Sequence, residues 1–92
     1  MPNKYYVNGV NFERRIKKDF ENKGYFVIRS AGSKSPIDLV AIKEGIPVLI
    51  QCKTKEVTKE EIDELRKLRS KVKCKVLIVV KRNRKINYLH IS

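Results

Sequence analysis

The stretch that decides the fold runs from residue 37 to residue 54 and reads IDLVAIKEGIPVLIQCKT. Two apolar runs rich in β-branched residues flank the dipeptide Glu44-Gly45, and a two-residue connection containing glycine is typical of a β-hairpin. We therefore predict strands over residues 37–43 and 46–54. Because proline cannot donate a backbone hydrogen bond, Pro47 indicates that the second strand begins at or near an edge of the sheet.

The same hairpin brings three polar side chains towards one another. With a two-residue loop, Lys43 faces Ile46, and further along the ladder Asp38 lies opposite Gln51, with Cβ atoms about 4.5–5.5 Å apart. Side chains alternate along a strand, so Lys53 shares the face of Gln51. A carboxylate, an amide and an ammonium group are therefore expected to meet at the strand ends.

These three groups are suited to metal-assisted phosphate chemistry. Mg²⁺ takes oxygen ligands, and Asp38 and the side-chain carbonyl of Gln51 can supply two of them. Lys53 beside the metal can hold or deprotonate the attacking water and offset negative charge on phosphorus. The alternative is structural, with Asp38 as a strand-entry residue and the other two as the polar face of a half-exposed strand. The apolar run around Gln51 weighs against it, since a buried amide needs a hydrogen-bond partner.

Two helices flank the hairpin in the sequence. Phe12, Ile16 and Phe20 recur every fourth residue, which predicts an amphipathic helix over residues 10–23 that ends at Gly24. A second helix begins at a capping-box pattern, TKEE at residues 58–61. Its buried stripe is predicted to consist of four apolar side chains: Ile62, Leu65, Leu68 and Val72.

Three further strands complete one domain spanning residues 1–92. We predict them over residues 25–30, 75–81 and 86–92, with a polar turn at 31–36. The predicted order is αβββαββ, which belongs to the α/β class. The longest apolar run, residues 76–80, is far too short to span a bilayer, and the N-terminal residues lack the apolar stretch of an export signal, so we expect a cytoplasmic protein.

The charge is strongly positive. The chain carries 22 basic against 10 acidic residues, a formal net charge of +12, and residues 65–92 contain ten bases and no acid. Such clustering favours binding to nucleic acid, although a lysine- and glutamate-rich surface also fits a heat-adapted protein whose charges only solvate it. The candidates for contacts with the phosphate backbone are Lys17, Lys18, Lys34, Lys55, Arg82, Arg84 and Lys85.

Glu13 lies at the margin of the predicted buried face of the first helix, between Phe12 and Ile16. It can be a further acid at the metal or its water shell, or an ordinary boundary glutamate near a helix N-terminus. Spacing alone favours the second interpretation.

Four segments in order carry a resemblance to a known family: NGVNFERR at residues 8–15, GYFVIRSAGSK at 24–34, IDLVA at 37–41 and VLIQCK at 48–53. Together they resemble the archaeal-type Holliday junction resolvases of the PD-(D/E)xK nuclease superfamily. The similarity covers about residues 5–54, and the element order extends it to the end, although we expect typical relatives to extend further at the C-terminus. The resemblance implies a restriction-endonuclease-like core, in which helices flank a central mixed β-sheet.

The resemblance also implies a function. It predicts a homodimeric, Mg²⁺-dependent endonuclease, with Mn²⁺ as an alternative metal, that nicks two strands of a four-way DNA junction symmetrically. Glu13, Asp38 and Lys53 match the catalytic motif, and Gln51 stands where the family usually has a second acid. The implied metal ligands are Glu13, Asp38 and Gln51. The implied DNA contacts are Arg14, Arg29 and Ser33, to which the charge distribution adds Lys17, Lys34 and Lys55.

Two alternatives stay open. The chain can be a catalytically inactive relative that binds DNA junctions, because an amide ligand adds no charge and weakens cation binding. It can also be a restriction-like or repair nuclease that acts on flaps or plain duplex. The retained aspartate and lysine favour an active enzyme.

Overall fold

The computed structural model describes residues 4–30 and 35–92, with side chains from residue 9 onward. It confirms the predicted order αβββαββ. Part of the predicted turn, residues 31–34, lies outside the described residues. The elements are α1 (Lys4–Asn22), β1 (Phe26–Arg29), β2 (Leu39–Lys43), β3 (Ile46–Lys53), α2 (Lys59–Val72), β4 (Lys75–Arg82) and β5 (Lys85–Ile91).

The five strands form one mixed sheet in the order β1-β2-β3-β4-β5, and only the β3–β4 pair is parallel. The expected central mixed sheet is thus confirmed, but β3 is the middle strand and not an edge strand. Pro47 fits there because it pairs only with Ile42 of β2, while the ladder to β4 begins one residue later, at Val48 opposite Lys75. The missing N–H therefore removes no bond from the parallel ladder.

The β2–β3 hairpin has the predicted loop. Lys43 pairs with Ile46, and both loop residues have positive φ, 53° at Glu44 and 78° at Gly45. This is the type I′ geometry, whose twist matches that of the flanking strands.

The sheet carries one helix on each face. α1 packs against β1, β2 and β3, whereas α2 packs against β4 and β5. The core under α1 includes Phe12, Ile16, Phe20, Leu39 and Ile50, and the core under α2 includes Ile37, Leu65, Val76, Ile78 and Ile91. Since fully burying one such side chain stabilises by about 1.5–3 kcal/mol, these two layers fix the strand ends that carry the polar residues.

Both ends of α2 are capped. Thr58 is the N-cap, and the predicted capping box with Glu61 is present. At the other end Lys73 adopts a left-handed conformation, with φ 54° and ψ 34°, and its N–H donates to the carbonyl of Arg69 at 2.8 Å. Leu65 is fully buried, but Val72 is 41% exposed, so its predicted place in the buried stripe is wrong: it is the last residue of the helix.

Replacing the C-cap residue with glycine should stabilise the protein. Lys73→Gly removes the steric cost of a Cβ in the left-handed region, and we expect the free energy of unfolding to rise by up to about 1 kcal/mol. Lys67→Gly removes the same charge from an exposed position in the interior of the helix and should lower the free energy of unfolding by about 1 kcal/mol. Urea denaturation measures both, and a loss of stability in Lys73→Gly would contradict the assigned cap.

Candidate active site

Asp38 is fixed by backbone contacts to the strands on both sides. Its carbonyl accepts from the N–H of Ser30, and its own N–H donates to the carbonyl of Ile50, each at 2.8 Å. Its side-chain Oδ2 accepts from the N–H of Cys52 at 2.8 Å. In a β2–β3 ladder that continued past Leu39, a backbone carbonyl would accept the hydrogen bond from β3. Here the carboxylate of Asp38 accepts it instead.

This contact changes one expected pairing. The regular β2–β3 register ends at Leu39 opposite Ile50, so the predicted pair of Asp38 with Gln51 is not part of the ladder. The prediction was wrong in this detail because it extended the regular ladder one residue past the point where the aspartate side chain replaces it. Asp38 still lies at the strand end at which β3 carries Cys52 and Lys53.

Glu13 reaches this strand end from α1. Its side chain is only 18% exposed, and its Oε1 accepts from Nε of Arg29 on β1 at 3.3 Å. Burial and then the charge of Asp38 raise the pKa of Glu13, while Arg29 opposes the shift. Spacing alone favoured a boundary glutamate, but the structure places Glu13 close enough to Asp38 for their charges to interact.

The pKa of Asp38 is also raised. Burial is the largest cause, and the Cys52 N–H, Lys53 and Arg29 each act in the opposite direction. The thiol of Cys52 responds to the same surroundings, because burial and the charges of Asp38 and Glu13 raise its pKa and keep it protonated. Two partly buried carboxylates therefore share a region that has too little positive charge to neutralise them fully.

Lys53 has a partner that the sequence had not suggested for it. Its Nζ donates to Oε2 of Glu61, in the first turn of α2, and this bond is the main reason that the pKa of Glu61 is lowered. From the sequence, Glu61 was expected only in the capping box, in which Oε1 accepts from the backbone and hydroxyl of Thr58. A capping-box glutamate points back past the helix start, and here β3 ends only five residues before Thr58. The short connection between β3 and α2 was the signal in the sequence that could have indicated the contact between Lys53 and Glu61.

Gln51 is partly buried, and its side-chain Oε1 is fully buried without a hydrogen-bond partner among the described residues. Leaving such an acceptor unpaired is costly, so its position calls for an explanation. Within the described part of the chain, no cluster of three or more His, Cys, Asp or Glu side chains is placed to hold a metal ion. A metal site here would combine the carboxylates of Glu13 and Asp38 with the amide oxygen of Gln51, an all-oxygen set that suits Mg²⁺.

The predicted DNA contacts are spread over several elements. Arg14 and Lys55 are exposed, Lys17 is ion-paired with Glu21 at 3.0 Å, and Arg29 is ion-paired with Glu13. Ser33 and Lys34 lie outside the described residues. As DNA contacts, all six stay predictions.

The architecture and the residues at the ends of β2 and β3 define a small α/β domain with a nuclease-like fold. Over residues 35–92 and 4–30, no helix is long and apolar enough to cross a membrane. The family model described as "Archaeal holliday junction resolvase (hjc)" matches residues 4–92. The chain belongs to this Hjc family, and the resemblance drawn from the sequence motifs is confirmed.

One curated protein and one solved structure are similar to this chain. A protein of Methanocaldococcus jannaschii named "Crossover junction endodeoxyribonuclease Hjc" is 43% identical over 65 residues, which cover 65% of this chain and 48% of the relative. This chain thus spans about half the length of the curated relative that it matches. The structure of Archaeoglobus fulgidus Hjc, described as a Holliday junction resolvase from an archaeal hyperthermophile, matches with a TM-score of 0.73 and 21% identity, over 91% of this chain and 73% of that one. This second match supports the fold.

Neutralising Asp38 should stabilise the metal-free protein at neutral pH. Asp38→Asn keeps an oxygen acceptor for the Cys52 N–H but removes a partly buried charge. Because the folded-state pKa of Asp38 is raised, ionisation costs stability once the pH exceeds that pKa, and the cost is absent below the ordinary value of 3.8. In chelator near neutral pH we expect a melting temperature a few degrees above wild type, and we expect the gap to close on acidification.

Differential scanning fluorimetry with and without Mg²⁺ tests this prediction. Wild type should gain stability from Mg²⁺ and Asp38→Asn should not, since a ligand that binds only the folded state stabilises it. Asp63→Asn is the matched control, because the half-exposed side chain of this α2 acid is ion-paired with Arg66 and not with a residue of the site, and it should respond to Mg²⁺ as wild type does. If the difference in melting temperature between Asp38→Asn and wild type does not change with pH, the raised pKa assigned to Asp38 is contradicted.

Proposed function

We propose that this chain is a Mg²⁺-dependent endonuclease that nicks branched DNA, with the four-way junction as its substrate. The observation that carries the proposal is that two partly buried carboxylates of raised pKa, those of Glu13 and Asp38, interact at one end of the sheet. Gln51, next to Cys52 on β3, adds a buried amide oxygen that has no hydrogen-bond partner among the described residues. Glu13, Asp38 and Gln51 would hold the metal ion. Family membership and the name of the M. jannaschii relative support the choice of a DNA junction. A cytoplasmic location, where DNA is accessible, is part of the proposal.

When bound, Mg²⁺ supplies neutralisation of phosphate charge and a water of lowered pKa. The protein's part is to hold the ligands in place before substrate arrives. The Cys52 N–H orients the carboxylate of Asp38, and Arg29 orients that of Glu13. Both acids are thus preorganised by partners from other elements, which lowers the cost of assembling the site.

Lys53 is proposed to stabilise charge on the phosphate that is cut. An ammonium group carries three donors, and its bond to Glu61 uses one of them. The others can reach a non-bridging phosphate oxygen as negative charge develops there. Glu61 acts as a positioning residue that fixes the ammonium at the strand end.

A homodimer is the proposed assembly, and one exposed apolar face supports it. Phe26 and Ile28 of β1 are 67% and 50% exposed, and they point away from α1 because they alternate with the buried Val27. α2 covers β4 and β5 on that side but not β1 and β2. The groove left beside α2 has a volume of about 430 Å³, and none of the described residues that line it is charged: Ile28, Ser30, Ser35, Ile37, Val40, Leu49 and Leu68.

A second copy of the chain is the occupant that best fits this groove. Two chains of net charge +12 repel each other, so an interface without charged residues lets them meet at the lowest electrostatic cost. A symmetric dimer would present two active sites related by a two-fold axis, which suits paired nicks in two symmetric strands.

One observation favours a second candidate, a junction-binding protein that does not cut. Gln51 gives the metal an uncharged ligand, which weakens cation binding relative to the usual acid. This candidate keeps the positive surface and the fold but predicts no Mg²⁺-dependent product.

Loss of the proposed catalytic groups should abolish cutting and spare binding. We expect Lys53→Ala and Asp38→Asn to lower the nicking rate of a synthetic four-way junction at least about a hundredfold, since one preorganised charge-stabilising group is worth about 10²–10³ in rate. Junction affinity, measured by fluorescence anisotropy in chelator, should change by less than about threefold because neither change removes a peripheral cation.

Lys67→Ala, on the exposed side of α2, is the matched lysine control and should cut at the wild-type rate. Linear duplex and flap substrates run beside the junction test the alternative nuclease specificities. Wild type that binds the junction but gives no product with Mg²⁺ or Mn²⁺ would establish the non-cutting candidate in place of the nuclease.

Disrupting the apolar face should separate the dimer. Ile28→Glu places a charge in the groove, and we expect size-exclusion chromatography with light scattering to show a monomer where wild type gives a dimer. Ile46→Glu adds the same charge at a position that is 58% exposed and outside the groove, and it should stay dimeric. If wild type is a monomer, or if both variants stay dimeric, the assigned interface is wrong.

A further inference from the structure

A basic cleft lies between α1 and the turn that joins β4 to β5. Its volume is about 520 Å³. The cleft is separate from the candidate active site, because the acidic residues at the ends of β2 and β3 do not line it. The lining residues are Asn11, Phe12, Arg15, Thr54, Lys81, Asn83 and Arg84.

The charges of the cleft are all of one sign. Arg15, Lys81 and Arg84 contribute three cations, and the part of the chain that the structure describes places no acidic residue in the lining. Within residues 9–30 and 35–92, none of these three takes part in an ion pair, whereas Arg29 and Lys53 of the active site both do. The amides of Asn11 and Asn83 add neutral hydrogen-bonding groups. A concave site with this composition suits a phosphate group, to which arginine binds in a bidentate manner.

The cleft borders the proposed active site. Phe12 precedes Glu13 on α1, and Thr54 follows Lys53 at the end of β3. A DNA strand whose scissile phosphate lies at Asp38 and Lys53 therefore has neighbouring phosphates within reach of the cleft. Because phosphodiesters repeat at every nucleotide, one basic cleft beside the acids can hold the strand in register for cutting.

The turn residue Arg84 is in an unfavourable backbone conformation. Asn83 and Arg84 form a two-residue loop between Arg82 and Lys85, with φ values of 51° and 66°. This type I′ geometry strongly favours Asn-Gly, because the second residue gains most from lacking a Cβ. The β2–β3 hairpin has glycine at that position, whereas the β4–β5 hairpin has arginine. A strained residue retained beside a cleft points to a use for its side chain.

We propose that this cleft binds the phosphates that flank the scissile phosphate on the cut strand, and that Arg84 is its principal contact. The proposal rests on the proposed function, since it takes the substrate of the neighbouring site to be DNA. Arg15 of α1 and Lys81 of β4 contribute further cationic contacts, and Asn83 shapes the turn that presents Arg84.

The strain at Arg84 allows a test in which stability and binding change in opposite directions. Arg84→Gly creates the preferred Asn-Gly turn, so its melting temperature should rise by a few degrees. Its affinity for a labelled four-way junction should fall about tenfold, the size expected for loss of one charge-assisted bond. The slope of log K against log salt concentration should become shallower by about 0.9.

Lys73→Gly is the matched control. It also removes one positive charge and one left-handed side chain, but it lies at the end of α2 and outside the cleft. It should gain stability as Arg84→Gly does while its junction affinity stays within about twofold of wild type. A second pair tests the α1 side of the cleft independently of the turn: Arg15→Gln should weaken binding, and Arg66→Gln, on the exposed side of α2, should not.

The outcomes separate this inference from the proposed function. If Arg84→Gly and Lys73→Gly bind the junction equally well, or if Arg15→Gln binds as wild type does, the cleft is not a phosphate site, even when wild type cuts the junction. If Arg84→Gly and Arg15→Gln bind weakly and wild type gives no Mg²⁺-dependent product, the cleft assignment holds and the nuclease proposal fails. Wild type that binds no DNA at all overturns both.

Discussion

The hydrogen bond from the backbone N–H of Cys52 to the carboxylate of Asp38 is the constraint on which the site depends. It ends the β2–β3 ladder by replacing a backbone acceptor with a side chain, so the position of the acid is set by the sheet itself. Cys52 and Lys53 are adjacent on β3, and the same bond therefore fixes the distance between the aspartate and the end of the strand that carries the lysine. Any change that shifts the β2–β3 register would move the acid away from the lysine.

Near that hydrogen bond, two ion pairs each join residues of two different elements. Arg29 of β1 holds Glu13 of α1, and Glu61 of α2 holds Lys53 of β3. With Asp38 the group contains three carboxylates and two cations, so the site is locally acidic in a chain whose net charge is +12. The outer surface attracts a polyanion at long range, but in the proposed function the phosphate to be cut would meet repulsion at the acids. A divalent cation resolves that conflict, which is a physical reason to expect metal dependence independent of family membership.

Much of the fold could be predicted from local patterns, whereas contacts between distant segments could not. Periodic apolar residues and the Glu44-Gly45 turn were sufficient to predict α1 and the β2–β3 hairpin, because period and turn chemistry are short-range properties. The central position of β3 could not be predicted from Pro47. Its missing N–H removes one possible hydrogen bond, but the rest of the strand can still pair with a neighbour on each side. The partner of Lys53 was missed for a related reason: Glu61 already had a sufficient local role in the capping box. Gln51 was the informative residue in the sequence, because a buried amide inside an apolar run requires a polar partner whatever the fold around it.

The amide at position 51 also has an electrostatic role. The carboxylates of Glu13 and Asp38 already have raised pKa values, because each is partly buried and the charge of Asp38 acts on Glu13. A glutamate in place of Gln51 would add a further negative charge to this group and would raise the free energy of the metal-free fold. As the proposed ligand, the amide would provide an oxygen atom without that charge, but it would attract the cation less strongly. Since the Oε1 of Gln51 is buried and has no hydrogen-bond partner among the described residues, its desolvation would not add to the cost of binding a cation in the proposed site. Compared with a glutamate, Gln51 thus favours stability without metal, and in the proposed site the binding of an ion would depend mainly on how well the two carboxylates are held.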